Sequence, residues 1–317
     1  MKVLVAGATG AIGRSLIKRL RLAGHTIFGM VRSQSSSEPL SNLGAEPVIA
    51  DALDASSVRA AMVKVRPDVI INELTSLPKH YTPTEMKAAA ERDARVRLEG
   101  NKNLIAAAQQ TGVRRFLLQS TGFWYAPGRD LADEGERFAY GASAAVAAGV
   151  QRYAQLEAMT LGRTEFEAVV LRYGFFYGPG TWFISDGDVG EQVRQQQVPI
   201  IGYGQGVWSW IHIEDAADGT VRALDCAPGA YNIVDDNPSE QRVWLTAFAR
   251  YCGALAPPHL SERQALEAAG PDAVYYATQL RGASNAKAKR ELGFRPRPLQ
   301  WLVHTTGTTD AYQFVPG

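Results

Sequence analysis

Cysteine and long apolar runs are scarce in this sequence. Only Cys226 and Cys252 occur, and no second cysteine or histidine stands at the spacing of metal ligands, so neither a disulfide framework nor a metal site is indicated. We expect two buried, reduced thiols. No apolar run approaches the roughly 18 residues of a membrane span. Since the first residues already have the pattern of a core strand, we expect no signal peptide, no membrane partner and a cytoplasmic protein.

An excess of charge of one sign is also missing. The formal net charge is +1, and 21% of the 317 residues are charged. A partner with a phosphate backbone normally requires a basic face, so the sequence argues against a nucleic-acid partner. The hydrophobic fraction of 46% is ordinary for a globular protein. At this length we expect one large domain and a smaller lobe.

The N-terminal stretch MKVLVAGATGAIG has the pattern of a strand, a tight turn and the start of a helix. A tight turn needs backbone angles that a Cβ forbids, and phosphates need main-chain N–H groups within reach, which glycines permit. The helix that follows directs free N–H groups and its positive end at the phosphates. The sequence therefore predicts a dinucleotide site. Its predicted contacts are Gly7, Thr9, Gly10, Ala11, Ile12 and Gly13.

The end of the second predicted strand, HTIFGMVRS, indicates which dinucleotide binds. NAD-binding proteins place Asp or Glu there for the ribose hydroxyls, whereas a 2′-phosphate needs a cation. Here Val31 is followed by Arg32 and Ser33. Arg32 can bind a 2′-phosphate and stack on adenine, so the sequence favours NADP over NAD. The alternative is a solvated surface arginine.

The glycine spacing GxxGxxG, together with later segments, resembles the extended branch of the short-chain dehydrogenase/reductase superfamily, the NAD-dependent epimerase/dehydratase-like proteins. The resemblance implies an α/β fold: a Rossmann-type doubly wound parallel sheet with a smaller C-terminal substrate-binding lobe. We place the NADP-binding domain at residues 1–180 with a return segment at 212–235, and the lobe at 181–211 and 236–317. A homodimer, paired through the helices after the fourth and fifth strands, is a further expectation from the family.

The resemblance also implies contacts for the two halves of the cofactor. After a predicted loop from Gln34 to Gly44, AEPVIADALD is a third strand that ends at Asp51, which would meet the adenine amino group while Leu53 covers the ring. Alternatively, Asp51 caps the helix that begins near Ala55. The other implied cofactor contacts are Ala52, Leu74, Ser120, Tyr173 and Phe176.

Polar residues follow the fourth and fifth predicted strands, at the end of a parallel sheet where ligands bind. The fifth strand and its loop, VRRFLLQSTGFWYAP, bring Ser120, Thr121 and Tyr125 to the active site, and Thr121 matches the catalytic Ser/Thr position of the family. Glu73 follows the fourth strand. A Glu73 that faced the site would have a raised pKa suited to acid–base work, but we favour an outward-facing carboxylate.

The catalytic pair of the superfamily, a tyrosine followed four residues later by a lysine, is missing. In that pair the Tyr hydroxyl moves a proton, while the Lys lowers the Tyr pKa and binds the nicotinamide ribose. Aligned through Glu157, QRYAQLEAMTL places Tyr153 at the lysine position and Gly149 at the tyrosine position. No lysine at all lies between Lys102 and Lys287.

Two residues are relevant to the missing tyrosine–lysine pair. Tyr140, in the turn-rich segment DEGERFAYGAS, is a candidate proton donor, although a tyrosine at a loop–helix junction more often serves packing. Arg97 stands where the family has an asparagine three residues before a glycine. We take Thr121 and Tyr140 as the candidate catalytic residues.

Two nucleotide contacts of the family are replaced by aromatic residues. Phe175 occupies the position of the Asn in LRxxNxYGP, and Trp208 occupies that of the Arg in RDFIHVDD. These replacements favour an apolar or aromatic substrate. The candidate substrate contacts are Phe123, Trp124, Phe175, Trp182 and Trp208.

Three functions are compatible with this pattern. The first is an NADP-dependent reductase of a small apolar or aromatic carbonyl or conjugated compound, because the cofactor carries the hydride chemistry even where acid catalysis is reduced. The second is a sugar-nucleotide epimerase or dehydratase, although such an enzyme needs a base and nucleotide contacts that are missing here. The third is an NADP-binding sensor without catalysis.

Overall fold

The computed structural model describes residues 1–303 of the chain. The strands in these residues are β1 (Lys2–Ala6), β2 (Thr26–Val31), β3 (Glu46–Ile49), β4 (Val69–Asn72), β5 (Arg115–Thr121), β6 (Glu167–Tyr173), β7 (Phe175–Tyr177), β8 (Ile200–Ile201), β9 (Val207–Trp208), β10 (Trp210–His212), β11 (Gly229–Ile233), β12 (Ser239–Glu240) and β13 (His259–Leu260). The helices are α1 (Ala11–Leu22), α2 (Ser37–Leu43), α3 (Ala55–Val65), α4 (Pro83–Thr111), α5 (Ala144–Leu161), α6 (Asp188–Arg194), α7 (Ile213–Arg222), α8 (Gln241–Tyr251), α9 (Glu262–Ala269), α10 (Pro271–Thr278), α11 (Ala286–Leu292) and α12 (Gln300–Val303).

The central sheet has seven parallel strands in the order β3-β2-β1-β4-β5-β6-β11. Its strands are continuous apolar runs because helices cover both faces of the sheet. From β1 the chain adds strands first on one side and then, starting with β4, on the other. The carboxyl ends of β1 and β4 therefore border the crevice at which folds of this kind bind ligands. The predicted Rossmann-type doubly wound sheet is confirmed.

Each face of the sheet has its own buried apolar cluster. On one face, Leu16 of α1 and Ile213 of α7 belong to the same cluster as the strand residues. On the other face, Val58 of α3, Leu104 of α4 and Leu156 of α5 do. Burying one such side chain completely contributes roughly 1.5–3 kcal/mol to the free energy of unfolding, so these helices are held mainly by their apolar faces.

A second core, rich in aromatic side chains, lies beyond the sheet. Trp210 of β10, Trp244 of α8 and Trp301 of α12 are fully buried in it. The ring centroids of Trp210 and Trp244 are 4.9 Å apart, and those of Trp210 and Trp301 are 5.2 Å apart. Val146 and Val150 of α5 also belong to this core. Because α5 contributes to both cores, the lobe limits at 181–211 and 236–317 remain a prediction.

The predicted loop from Gln34 to Gly44 is wrong. A 3₁₀ turn at Gln34–Ser36 is followed by α2, which ends at Gly44 with a φ of 90°. The helix is held by Leu40, whose side chain fills the space beside Gly29: a Cβ on Gly29 would lie 2.6 Å from the Leu40 Cδ1 atom. Leu40 is buried and Leu43 half-buried, and two leucines in a seven-residue segment are too short a pattern to predict a helix from the sequence.

The third strand also ends earlier than predicted, at Ile49 rather than at Asp51. The helix cap is Asp54, whose carboxylate accepts hydrogen bonds from the backbone N–H groups of Ser56 (2.9 Å) and Ser57 (3.2 Å). The alternative role of Asp51 as the cap of α3 is therefore wrong, since the cap must be the residue directly before the first helical turn.

Both cysteines are buried and neither forms a disulfide. No helix among residues 1–303 combines the length and the apolar character needed to cross a membrane.

Candidate functional site

The glycine turn between β1 and α1 leaves no room for side chains. Gly7 has a φ of +86°, and a Cβ on it would lie 2.4 Å from the carbonyl oxygen of Glu73. A Cβ on Gly13 would lie 2.4 Å from the carbonyl oxygen of Gly7. The Gly10 N–H closes the turn by donating to that same Gly7 oxygen at 3.0 Å. A side chain at either position would have to displace backbone.

The start of α1 is open to an anion. Gly10 is the residue that precedes the helix; it offers no side-chain cap, and the first turn carries no acidic residue. Arg14 Nε donates to the Thr9 carbonyl oxygen at 3.0 Å and so holds the loop in place. Thr9 and Gly10 are exposed. Free N–H groups at the positive end of a helix, in a cradle that a Cβ would fill, fit the pyrophosphate of a dinucleotide.

Arg32 follows β2 and lies exposed beside a group of serines. The Ser33 hydroxyl lies 2.9 Å from that of Ser35 and 3.4 Å from that of Ser36. Within residues 1–303 the Arg32 guanidinium has no hydrogen-bond or ion-pair partner. A guanidinium next to hydroxyl groups suits a phosphate monoester. The 2′-phosphate role of Arg32 stays a prediction.

The loop after β3 borders the crevice next to Arg32. Asp51 is exposed, and one of its carboxylate oxygens accepts the Leu53 N–H at 3.0 Å, while Ala52 is buried. Leu74, at the end of β4, packs on α4: its Cδ1 atom is 2.9 Å from the place of a Cβ on Gly100. The cofactor contacts of Asp51, Ala52, Leu53 and Leu74 stay predictions.

Ser120 and Tyr125 belong to a buried ion-pair network. The Ser120 hydroxyl donates to Glu157 Oε1 at 2.5 Å, and Arg172 donates to both Glu157 oxygens at 2.9 and 2.6 Å. The Tyr125 hydroxyl donates to Asn232 Oδ1 at 2.6 Å, and burial raises the pKa of Tyr125 to about 12. Both hydroxyls are committed to this network, which corrects the expectation that they face the active site. The Ser120 hydroxyl proton is therefore not free for a cofactor, and the cofactor contact of Ser120 stays a prediction.

Glu73 points into the protein, so the expectation of an outward-facing carboxylate is wrong. Its side chain is 3% exposed, Tyr173 donates to its Oε1 at 3.0 Å, and its Oε2 has no partner within residues 1–303. Burial raises the pKa of Glu73 to about 8, so the group is mainly neutral at pH 7. The Tyr173 hydroxyl also lies 2.6 Å from Thr220 Oγ1. Tyr173 can therefore offer a cofactor only its backbone, and Phe176 packs at 5.2 Å from its ring.

The two candidate proton donors lie in different surroundings. Thr121, the last residue of β5, is 2% exposed, and its hydroxyl oxygen has no partner within residues 1–303. A buried hydroxyl without a partner at the carboxyl end of a strand fits a ligand contact. Tyr140 lies in the turn before α5 and is 52% exposed. No hydrogen bond in the described chain links Tyr140 with Thr121, and both catalytic roles stay predictions.

Trp124 occupies the space beside Gly149. A Cβ at position 149 would lie 2.6 Å from both Cη2 and Cζ3 of Trp124. The Trp124 Nε1 donates to the Tyr276 hydroxyl at 3.1 Å, and its ring meets that of Tyr153 edge-on at 5.7 Å. The indole from the loop after β5 thus fills the space beside Gly149, the position that is predicted to align with the family's tyrosine.

Tyr153, which is predicted to align with the family's lysine, lies beside a buried ion pair. Arg97 Nε donates to Asp93 Oδ2 at 2.8 Å, and both side chains are buried. The Arg97 Cζ atom lies 5.1 Å from the centre of the Tyr153 ring, and burial raises the pKa of Tyr153. A cation therefore does stand next to position 153, but it comes from α4 instead of α5.

Aromatic rings form a stack at the carboxyl end of the sheet. Phe175 lies between Phe123 and Trp208, with ring-centroid distances of 4.1 and 4.2 Å. The Trp124 ring meets Phe123 edge-on at 5.2 Å. Of the predicted substrate contacts, Trp182 lies apart from these four, since it packs on Tyr81 at 4.8 Å. Both faces of Phe175 are covered, which leaves the half-buried Phe123 as the end of the stack.

A model of the NAD dependent epimerase/dehydratase family matches residues 3–233, from β1 to the end of β11. The chain belongs to this family. Two curated relatives are similar to this chain over nearly its whole length. A 3-diazoavenalumate denitrifying reductase from Streptomyces sp is 36% identical over 304 residues, which are 95% of this chain and 98% of the relative.

The second relative is a 4-hydroxy-2-methyl-3-oxo-4-farnesyl-3,4-dihydroquinoline-1-oxide ketoreductase from Stigmatella aurantiaca. It is 26% identical over 321 residues, covering 94% of this chain and 92% of the relative. Both relatives are named as reductases, which together with the family membership supports an oxidoreductase.

Solved structures show the same fold. The UDP-glucose 4-epimerase of Thermotoga maritima, solved with UDP-glucose, has a TM-score of 0.71 at 19% identity and covers 95% of each chain. The UDP-glucose 4-epimerase of Thermus thermophilus, solved with NAD, has a TM-score of 0.65 at 23% identity and covers 94% of each chain.

Sequence reasoning missed the inward Glu73 and the pairing of Asp93 with Arg97. The spacing of Asp93 and Arg97, four residues apart on a helix, is the signal that could have shown the second. The direction of Glu73 has no such signal, because it depends on which neighbours β4 has in the sheet.

Proposed function

We propose that this protein is an NADP-dependent reductase that acts on a small apolar or aromatic substrate with a carbonyl or conjugated electrophile. The observation that carries this proposal is the stack of Phe123, Phe175 and Trp208, which stands where sugar-nucleotide enzymes of the family have polar nucleotide contacts. An apolar, aromatic wall beside a dinucleotide turn favours a flat, uncharged substrate over a nucleotide diphosphate.

Support for NADP comes from the end of β2. The unpartnered Arg32 and the hydroxyls of Ser33, Ser35 and Ser36 are donors suited to a 2′-phosphate. When bound, the cofactor supplies the hydride. The glycine turn would hold its pyrophosphate, and Asp51 and Leu53 would contact adenine.

The half-buried Phe123 is the ring of the stack best placed to receive the substrate. Both faces of the Phe175 ring are covered by Phe123 and Trp208, so Phe175 would hold Phe123 in place and would not contact the substrate with its ring face. Trp124 closes the side of the site where a catalytic tyrosine would otherwise stand, since its indole fills the space beside Gly149. The substrate therefore meets aromatic carbon where most family members offer a proton donor.

A site that is poor in proton donors favours a substrate whose reduction needs hydride alone. An aryl diazonium is such a substrate: hydride forms the new C–H bond, the C–N bond breaks, and N₂ leaves with the bonding electron pair, giving arene, N₂ and NADP⁺. The denitrifying reductase with 36% identity and 98% coverage supports this class. A carbonyl substrate would instead require a proton on oxygen, for which Thr121, through a water, and Tyr140 are the candidates.

The experiment is a turnover assay with a panel of an aryl diazonium, an aromatic enone and an aromatic ketone, monitored by the loss of NADPH and by product analysis. We expect NADPH to be consumed with at least one of them and to be preferred over NADH. Tight NADPH binding without turnover across the panel would indicate the sensor. Binding and epimerisation of UDP-glucose would indicate the sugar-nucleotide enzyme.

We also propose a homodimer paired through α4 and α5, as the family implies. Sedimentation of the purified chain tests it, and a monomer at micromolar concentration would contradict it. The cytoplasmic location stays a prediction.

A further inference from the structure

Arg97 is a buried arginine whose charge is only partly satisfied. Its side chain is 5% exposed, and its Nε donates to Asp93 Oδ2 at 2.8 Å. Within residues 1–303 neither of its two terminal nitrogens has a hydrogen-bond partner. Neither nitrogen is among the fully enclosed polar atoms that lack a partner, so both are open to an acceptor from outside the chain. A guanidinium N–H that meets such an acceptor forms a charge-assisted hydrogen bond.

The place of Arg97 indicates what that acceptor is. The guanidinium lies over the ring of Tyr153, at the position where the family has its lysine. The side chain also lies near Asn72, Leu74 and Gln119, at the carboxyl ends of β4 and β5. Those strand ends border the crevice next to the glycine turn, on the side that leads away from the adenine contacts at β3.

The guanidinium is held in one orientation. The second oxygen of Asp93 accepts the Ser76 N–H at 2.7 Å, so the carboxylate that orients Arg97 is itself fixed to the loop after β4. The guanidinium carbon also lies 5.1 Å from the centre of the Tyr153 ring, within the range of a cation–π interaction. A fork of donors fixed in this way needs little reorganisation to bind a pair of neighbouring hydroxyl oxygens.

We propose that the terminal nitrogens of Arg97 bind the hydroxyls of the nicotinamide ribose and thereby replace the ribose-binding half of the missing lysine. This inference rests on the proposed function, because it requires a nicotinamide dinucleotide in the crevice. Arginine keeps its proton under all ordinary conditions, so it does not replace the half of the lysine's role that tunes a catalytic tyrosine. Arg97 would thus position the cofactor but would not support proton transfer by a tyrosine.

The test compares cofactor affinities for the wild type and Arg97→Met, measured by the fluorescence of bound NADPH or by calorimetry. The probes are NADPH, an NADPH analogue that lacks a hydroxyl on the nicotinamide ribose, and 2′,5′-ADP, which contains no nicotinamide ribose. We expect Arg97→Met to bind NADPH roughly tenfold more weakly and 2′,5′-ADP unchanged. The deoxy analogue should bind the wild type about as weakly as NADPH binds the variant, and the variant should not distinguish the two.

Arg95→Met is the matched control, because Arg95 is exposed on the same helix and pairs with Glu99. It should bind all three probes like the wild type. An Arg97→Met variant that binds NADPH normally, or that loses NADPH and 2′,5′-ADP equally, would overturn the proposal. If the variant does not fold, the wild type alone still tests the proposal. Equal affinities of the wild type for NADPH and for the deoxy analogue would overturn the proposal. Failure of the wild type to bind NADPH at all would instead count against the proposed function.

Discussion

Trp124 and Gly149 are complementary: the indole of Trp124 reaches to 2.6 Å from the place where a Cβ of residue 149 would lie. A side chain at position 149, where the family's catalytic tyrosine is predicted to align, would therefore collide with a tryptophan from a different segment.

Replacing Gly149 by alanine tests this relationship. The new methyl group must displace the Trp124 ring, which is held by Tyr276 and packed against Phe123. We expect a net loss of about 1 kcal/mol in the free energy of unfolding, since overpacking costs roughly 1–3 kcal/mol and the gain in helix propensity returns up to about 1 kcal/mol. Denaturant unfolding measures the loss of stability, and tryptophan fluorescence reports the displacement of the Trp124 ring. Gly141→Ala is the control, because a Cβ there meets nothing within 4 Å; a Gly149→Ala variant with wild-type fluorescence and higher stability would contradict the fit.

Arg32→Glu should separate the two nicotinamide cofactors. The change removes the cation proposed for the 2′-phosphate and adds a like charge beside it, so NADPH should bind roughly 10²-fold more weakly while NADH changes little. Binding titrations with both cofactors measure the ratio. Lys64→Glu makes the same charge change on an exposed position of α3 and should leave the ratio alone. Equal weakening of NADPH and NADH by Arg32→Glu would refute the phosphate role.

Glu73 should make stability fall as the pH rises. Its pKa is about 8 in the folded chain and near 4.5 when unfolded, so between these values the unfolded state has released a proton that the folded state keeps. Stability should therefore decrease from about pH 5 to pH 8 and then level off, by at most about 1.4 kcal/mol per pH unit from this group. Glu73→Gln should remove this part of the slope, which denaturant unfolding at several pH values would show.

The matched control for that experiment is Glu46→Gln, since Glu46 is exposed at the start of β3. It should keep the wild-type slope. Burial raises the pKa of Asp235 to about 7, so some slope should remain in Glu73→Gln. If Glu73→Gln and the wild type follow the same curve, Glu73 is ionised in the folded protein and its burial does not act as described.

Phe123→Leu should weaken substrate binding without affecting the cofactor. The ring ends the aromatic stack, and loss of one aromatic pair costs about 0.5–1.5 kcal/mol, so KM for an aromatic substrate should rise roughly 3- to 10-fold. Steady-state kinetics and NADPH titrations measure the two effects separately. Tyr203→Leu, on an 81% exposed residue, is the control. A KM that stays constant would place the substrate elsewhere than on Phe123.

Predictions from the sequence were correct for features that depend on the residue types within one short segment. Gly7, Gly10 and Gly13 indicated the turn because only glycine tolerates the backbone angle of Gly7 and the close approach at Gly13. The apolar runs indicated parallel strands because buried strands have no polar face. The prediction for Ser120 was wrong. Its position at a strand end suggested a ligand contact of the hydroxyl, but the hydroxyl hydrogen-bonds to Glu157 on α5.

By itself, the sequence of this protein determined the doubly wound sheet and the glycine turn, because each follows from residue types in a short stretch of chain. Only the tertiary structure decided that Glu73 is buried, that Trp124 fills the space beside Gly149 and that Arg97 stands beside Tyr153. The physical reason is that these three facts depend on contacts between β4, the loop after β5, α4 and α5. The residue spacing within one segment does not determine how that segment packs against distant segments.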